Sequence, residues 1–139
     1  MITVITGPPC SGKTTYVREH AKPGDVIIDF DALAVALGGT ASHDHSDLLR
    51  GVTGAAWIAA IRRAIDLGAD AWIIDARPKA DRRGWYDGVG AAYVRLDADP
   101  AELHHRADED GRPATCHQRI DDWFNPARYD PPPMIRTRW

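Results

Sequence analysis

The sequence predicts an α/β domain, a three-layer sandwich in which a short parallel sheet of about four strands is covered by helices on both faces. Three observations carry that expectation. Short apolar, β-branched runs recur at Ile2 to Thr6, Val26 to Ile28, Ala71 to Ile74 and Ala91 to Leu96. Stretches with helical spacing or capping residues separate each run from the next. The whole pattern fits within 139 residues, enough for one sizeable core and too few for two.

The elements follow in order. Ile2 to Thr6 reads as a buried strand, and TTYVREHA from Thr14 as the helix after it. Lys22-Pro23-Gly24-Asp25 is a turn into the second strand, which delivers Asp29-Phe30-Asp31 at its carboxyl end. A helix from about Ala32 to Leu37 stops at Gly38-Gly39, and the polar GTASHDHSD reads as a loop over the site. Thr53 is the expected cap of the next helix, whose Trp57, Ile58, Ile61 and Ile65 share one face up to Gly68. The third strand ends in Asp75, Lys79 to Gly88 is partly helical, and Ala91 to Leu96 is the fourth strand. Asp99-Pro100-Ala101-Glu102 has capping-box spacing for a helix through about Ala107, and Thr115 to Gln118 repeats it. The domain is expected to span 1–125, and the proline-rich 126–139 to be a tail without regular structure, ordered only if docked.

Between the first strand and its helix, Gly7 to Thr14 reads GPPCSGKT, a complete G-x-x-x-x-G-K-[ST] phosphate-binding loop. Gly7 and Gly12 let the backbone curl so that the N–H groups of Pro9-flanked Cys10, Ser11, Gly12 and the residues up to Thr15 face phosphate oxygens. Gly7, Pro8, Pro9, Cys10, Ser11, Gly12, Lys13, Thr14 and Thr15 are thus the expected nucleotide-binding residues. Lys13 reaches the β and γ phosphates, the Thr14 hydroxyl can ligate Mg²⁺, and the helix adds its positive dipole end. The expected ligands are ATP or another nucleoside triphosphate, with Mg²⁺.

Composition narrows the class. Hydrophobic residues at 44% and charged residues at 27% fit a globular domain, and no stretch has the ~18 apolar residues of a membrane span. The start MITVITGPP lacks the basic region of a signal peptide, so a cytoplasmic protein is expected, with Cys10 and Cys116 reduced. Net charge of −3 argues against bulk electrostatic grip on nucleic acid, although ARPKADRR from Ala76 to Arg83 is locally basic. The tail adds Arg128, Arg136 and Arg138. Nothing in the pattern points to an oligomeric state.

In a parallel sheet the ligand lies beyond the carboxyl ends of the strands, which gathers the phosphate loop, Asp29, Asp31 and Asp75 on one edge. Phosphoryl transfer to an alcohol needs a carboxylate that accepts the hydroxyl proton, and Asp31 is placed for it. Asp29 is its rival, and a helix N-cap is the plain alternative for Asp31. Asp75 stands where a strand-end carboxylate supports Mg²⁺. Arg106 and Arg112 sit where a mobile lid would carry positive charge onto the transferring group. His43, Asp44, His45 and Asp47 could bind metal, but a substrate-covering loop is the default reading.

With those residues in place, the order of parts resembles the P-loop kinases of the P-loop NTPase type. Within them it is similar to a small, phage-type member of the polynucleotide-kinase-like branch, which phosphorylates 5′-hydroxyl ends of DNA or RNA. The resemblance runs from Ile2 to Phe124 on GPPCSGKTT, IIDFDALA, IIDARPKADRRGWY and VRLDADPAELHHRADEDGRP. It implies that Asp31 is the general base, that Asp75 is followed by paired arginines at Arg82 and Arg83, and that Arg106 is the first lid arginine. Two positions depart. Ala34 stands where the family commonly has an arginine for the acceptor phosphate, and Asp110 stands at the second lid arginine, so Arg112 must substitute. Many such kinases also have a fifth strand after the lid, where this chain offers only the proline-rich tail.

Two functions follow. One is an ATP- and Mg²⁺-dependent phosphotransferase whose acceptor is a hydroxyl of a nucleic acid end, a modified base or a nucleoside. The other is an ATP-binding or ATP-hydrolysing accessory module that signals nucleotide state to a partner, favoured by Ala34 and the small size.

Overall fold

The computed structural model describes residues 1–39, 45–127 and 135–138. Its strands are β1 (Ile2–Thr6), β2 (Val26–Asp29), β3 (Ala71–Ile74), β4 (Ala92–Asp97) and β5 (Ile135–Arg138). Its helices are α1 (Lys13–His20), α2 (Phe30–Ala36), α3 (Asp47–Asp66), α4 (Ala80–Gly88), α5 (Pro100–Glu109) and α6 (Ala114–Trp123). The sheet runs β2-β3-β1-β4-β5, with every neighbouring pair parallel. The four expected strands are all present. The tail corrects the expectation of irregular structure, because Ile135–Arg138 pairs with β4 as a fifth strand, Val94 opposite Ile135 and Asp97 opposite Arg138. Proline blocks a strand only where its missing N–H is needed, and the tail's prolines end at Pro133, ahead of the paired residues.

Alternation along β1 explains the layers. Ile2 and Val4 point to one face, where they pack with Ile28, Ile73, Trp57 and Ile61 of α3, and Tyr86 of α4. Ile5 points to the other, against Val17 of α1, Ile74 and Leu96. Strands buried on both faces need apolar residues at consecutive positions, which is why Val4 and Ile5, and Ile73 and Ile74, are all buried. A third cluster, Leu103 and Ala107 of α5 with Cys116 and Ile120 of α6, holds the last two helices together as a small body beside the phosphate loop.

Capping differs from the sequence reading in three places. Ser46, not Thr53, caps α3: its hydroxyl accepts from the Leu49 N–H at 3.2 Å, and Thr53 is buried inside the helix. The loop before α3 is shorter for the same reason. Asp99 makes no side-chain cap on α5, and Glu102 bonds Arg106 instead, at 3.0 Å. Pro113, not Thr115, precedes α6. Among the described residues, no helix is long and apolar enough to cross a membrane.

Candidate functional site

The phosphate loop joins β1 to α1, where the strand end and the helix start hold it from both sides. Gly7 sits at φ +146° and Gly12 at +89°, while Cys10 adopts a left-handed φ of +61°. A Cβ on Gly7 would come within 2.5 Å of the Leu96 carbonyl oxygen and 2.8 Å of Ser11 Oγ, so β4 leaves no room for a side chain there. Lys13 folds back over the loop. Its ammonium donates to the carbonyls of Gly7 at 2.9 Å and Pro8 at 2.7 Å. Burial, with Arg112 adding repulsion, pushes the Lys13 amine down to about 8. The side chain is thus held among partial negative charges that a triphosphate can replace with full ones. Burial also pushes the Cys10 thiol up to about 11, which keeps it protonated and unreactive near neutrality.

A pocket of about 920 Å³ opens beside this loop, a volume suited to a nucleotide with room beyond it. Its wall brings together residues distant in sequence: Cys10 to Thr15, Asp29, Asp31, Asp75, Arg106 and Arg112. Lys13, Thr14, Asp31, Asp75, Arg106 and Arg112, the residues the sequence offers for catalysis and Mg²⁺, therefore line one cavity, and so does the phosphate loop from Pro9 onward.

The second strand settles which of its aspartates caps the helix. Asp29 does: its Oδ1 accepts the Asp31 N–H at 3.1 Å, so the capping alternative for Asp31 falls to its rival. Asp31 lies in the first turn of α2, 41% exposed toward the pocket, with His45 Nε2 at 3.1 Å from its Oδ1. Ala34 is fully buried, so its departure from the family pattern leaves no cationic group on that face of α2.

Asp75 is placed differently from what a simple metal-ligand reading suggests. Its Oδ2 takes Arg82 Nε at 2.7 Å and the Tyr86 hydroxyl at 3.0 Å, and its Oδ1 takes Arg82 Nη2 at 3.2 Å. Burial alone would lower the Arg82 guanidinium, but the bonds and charge of Asp75 outweigh it and raise it. Burial and the same carboxylate raise the Tyr86 phenol well above its ordinary range. The donor set fits Mg²⁺ in a limited way. Thr14 offers an exposed hydroxyl, while Asp75 has only its remaining Oδ1 lone pair, suited to a metal-bound water. Magnesium commonly keeps several waters, so few protein donors suffice. Among the described residues, no group of three or more His, Cys, Asp or Glu side chains forms a metal cluster. His43 and Asp44 lie outside the described residues, and His45 turns to Asp31.

Arg106 and Arg112, which the sequence suggests as lid residues, lie against nearby oxygens. Arg106 Nη1 reaches across to the Cys10 carbonyl at 3.0 Å while Nε holds Glu102, and Arg112 lies 3.6 Å from Asp110. Sequence reasoning missed several other residues of the pocket wall, among them Phe30, Trp57, Arg77, Arg119 and Trp123. Part of this was readable, since Thr115, Arg119 and Trp123 recur every four residues on α6 and so share a face. Arg77 was not, because its guanidinium stacks 5.1 Å over the Trp123 ring, a contact between segments far apart in sequence.

The chain matches the family model AAA_33, described as an AAA domain, over residues 2–119. No match is found among curated proteins. Among solved structures it is similar to a chain of the Pnkp1/Rnl/Hen1 RNA repair complex, with TM-score 0.61 and 16% identity over 89% of this chain. It spans 46% of that chain's length. It is also similar to a gluconokinase from Sinorhizobium meliloti 1021, with TM-score 0.58 and 19% identity over 98% of this chain and 81% of that one. A third likeness is to the tunicamycin resistance protein of Deinococcus radiodurans, with TM-score 0.53 and 14% identity over 99% and 84% of the two chains. Identities this low carry the fold alone. With the family model covering most of the chain and the phosphate loop at the head of its first helix, the protein belongs to the AAA_33 family.

Proposed function

We propose that this chain transfers the γ-phosphoryl group of ATP to a hydroxyl acceptor, in the first instance a nucleic acid end or a nucleoside. The observation that carries the reading is that Asp31 lines the same pocket as Lys13, Arg106 and Arg112, beyond the loop that holds the donor phosphates. Such a transfer needs little covalent chemistry from the protein and much positioning.

Each residue then has a task. The loop N–H groups and the Lys13 ammonium hold the phosphates, and Lys13 exchanges its two carbonyl partners for phosphate oxygens. Thr14 would hold Mg²⁺, with Asp75 reaching it through water; the bound ion neutralises charge on the β and γ phosphates. Asp31 accepts the proton of the attacking hydroxyl. Arg106 leaves the Cys10 carbonyl, and Arg112 its Asp110 neighbour, to face the charge that develops on the transferring group. Phe30 and Trp57 offer aromatic surface beside Asp31, which suits an acceptor carrying a base.

A second reading, an accessory module that binds or hydrolyses ATP for a partner, draws on buried Ala34, which removes the usual acceptor contact from α2. The test that separates the two is incubation with γ-labelled ATP and a panel of 5′-hydroxyl oligonucleotides, nucleosides and modified DNA. Label on one acceptor class supports the transferase and names its substrate. Free phosphate with no labelled acceptor supports the module.

A further inference from the structure

His45 enters none of the steps above, yet its ring is bonded to the proposed base. It immediately precedes Ser46, whose cap on α3 fixes the local backbone. Its side chain is only 4% exposed, with Nε2 3.1 Å from Asp31 Oδ1 and the Phe30 ring centroid 6.4 Å from its own. The other ring nitrogen, Nδ1, is buried and has no partner among the described residues. Placing a proton on Nε2 leaves Nδ1 as a bare lone pair, which costs less to bury than an N–H without an acceptor. Room for the ring depends on Gly39. A Cβ there would lie 3.3 Å from Nδ1, 3.2 Å from Leu49 Cδ2 and 3.1 Å from the Ala34 carbonyl oxygen.

Resting on the reading of Asp31 as the base, we infer that His45 is a positioning residue: its Nε2–H donates to Asp31 Oδ1 and holds the carboxylate in the rotamer that faces the acceptor. A displacement of about 1 Å at a reacting group can cost about 100-fold in rate, so a bond that helps fix the direction of the carboxylate bears on kcat. The bond also ties the first turn of α2 to the residue that precedes the cap of α3. His45 takes no proton in the reaction. The proton of the acceptor hydroxyl goes to the Asp31 carboxylate as its oxygen bonds to phosphorus and the bond to ADP breaks.

The test combines turnover with a direct probe of the tether. Phosphoryl transfer from γ-labelled ATP, to water and to the acceptor panel, is measured for the full-length chain and for His45→Ala, His45→Gln, Asp31→Asn and the double variant His45→Ala with Asp31→Asn. The expected result is a fall in kcat of about 10- to 100-fold in His45→Ala with KM for ATP unchanged, and partial recovery in His45→Gln, whose amide can donate. The double variant should be no slower than Asp31→Asn alone. Loss in Asp31→Asn with full kcat in His45→Ala overturns the positioning role and leaves the base standing. Full kcat in Asp31→Asn removes the base reading and this role with it. Independently of turnover, nitrogen NMR of labelled histidine should show His45 as the Nε2–H tautomer, shifted in Asp31→Ala; a His45 signal identical in the two proteins overturns the tether.

Discussion

Arg82 grips both oxygens of Asp75, Nε on Oδ2 at 2.7 Å and Nη2 on Oδ1 at 3.2 Å, and places its guanidinium 5.0 Å over the Trp57 ring. The pair ties the end of β3 to α4 and α3 at the floor of the pocket. Asp75 is only 4% exposed, so that grip supplies the partners its buried oxygens need.

Removing Arg82 should therefore cost more than a surface ion pair does. Arg82→Ala leaves a buried carboxylate unpaired and is expected to destabilise the fold by about 3–5 kcal/mol in urea unfolding. Tyr86→Phe, which removes one neutral donor from the same carboxylate, should cost about 1–2 kcal/mol. If Asp75 served Mg²⁺ alone, Arg82→Ala would leave stability near that of the parent chain and alter only the Mg²⁺ dependence.

Nucleotide binding should take up protons. The Lys13 amine sits near 8 in the free protein against 10.5 for an unperturbed lysine, and a triphosphate beside it favours the charged form. The sign for the free protein is separate. Between about 8 and 10.5 the unfolded chain binds more protons than the folded one, so the cost of burying charged Lys13 is relieved as pH rises through that window. Binding runs the other way: the complex holds the proton that the free protein has lost, and ATP affinity should fall as pH climbs past about 8. Calorimetry in two buffers of different ionisation enthalpy reads the uptake, and a binding enthalpy equal in both at pH 8 would contradict it.

Gly7→Ala should disable the loop. The new methyl would meet the Leu96 carbonyl at 2.5 Å, at a φ of +146° that side chains rarely adopt. A strained backbone of this kind costs about 1–3 kcal/mol before the collision is counted. The expected outcome is a lower Tm with loss of fluorescent-ATP binding, and normal binding with an unchanged Tm would show that the loop is held differently.

Gly39→Ala tests the packing around the base from a distance. The added methyl presses on His45, Leu49 and the Ala34 carbonyl with contacts of 3.1–3.3 Å, tight but short of a collision. A modest stability loss of about 1 kcal/mol is expected together with a fall in kcat, while ATP affinity holds. An unchanged kcat would mean that His45 and Asp31 are not linked through this wall.

Much of this site could be read from the sequence, because its signals are local. GPPCSGKT is contiguous, strand-end aspartates follow apolar runs, and parallel-sheet topology puts them on one edge. The capping residues were less readable, since Asp, Ser and Thr near a helix start compete and tertiary packing decides among them: Asp29 over Asp31, Ser46 over Thr53. The fifth strand was hidden because Ile135–Arg138 gains its partner only from β4, far back in the chain. Partners supplied by another element also hid the bond of His45 to Asp31 and the stacking of Arg77 on Trp123. None of these pairs has a periodicity to betray it.

The central claim is that Asp31 acts on the acceptor and not on the donor. It is tested most directly by measuring, for Asp31→Asn beside the parent chain, both the Kd for ATP and the rate of transfer from γ-labelled ATP to the preferred acceptor. The account predicts an unchanged Kd with transfer lowered by about 10²- to 10⁴-fold, the range a general base supplies. Transfer at the parent rate in Asp31→Asn would contradict it.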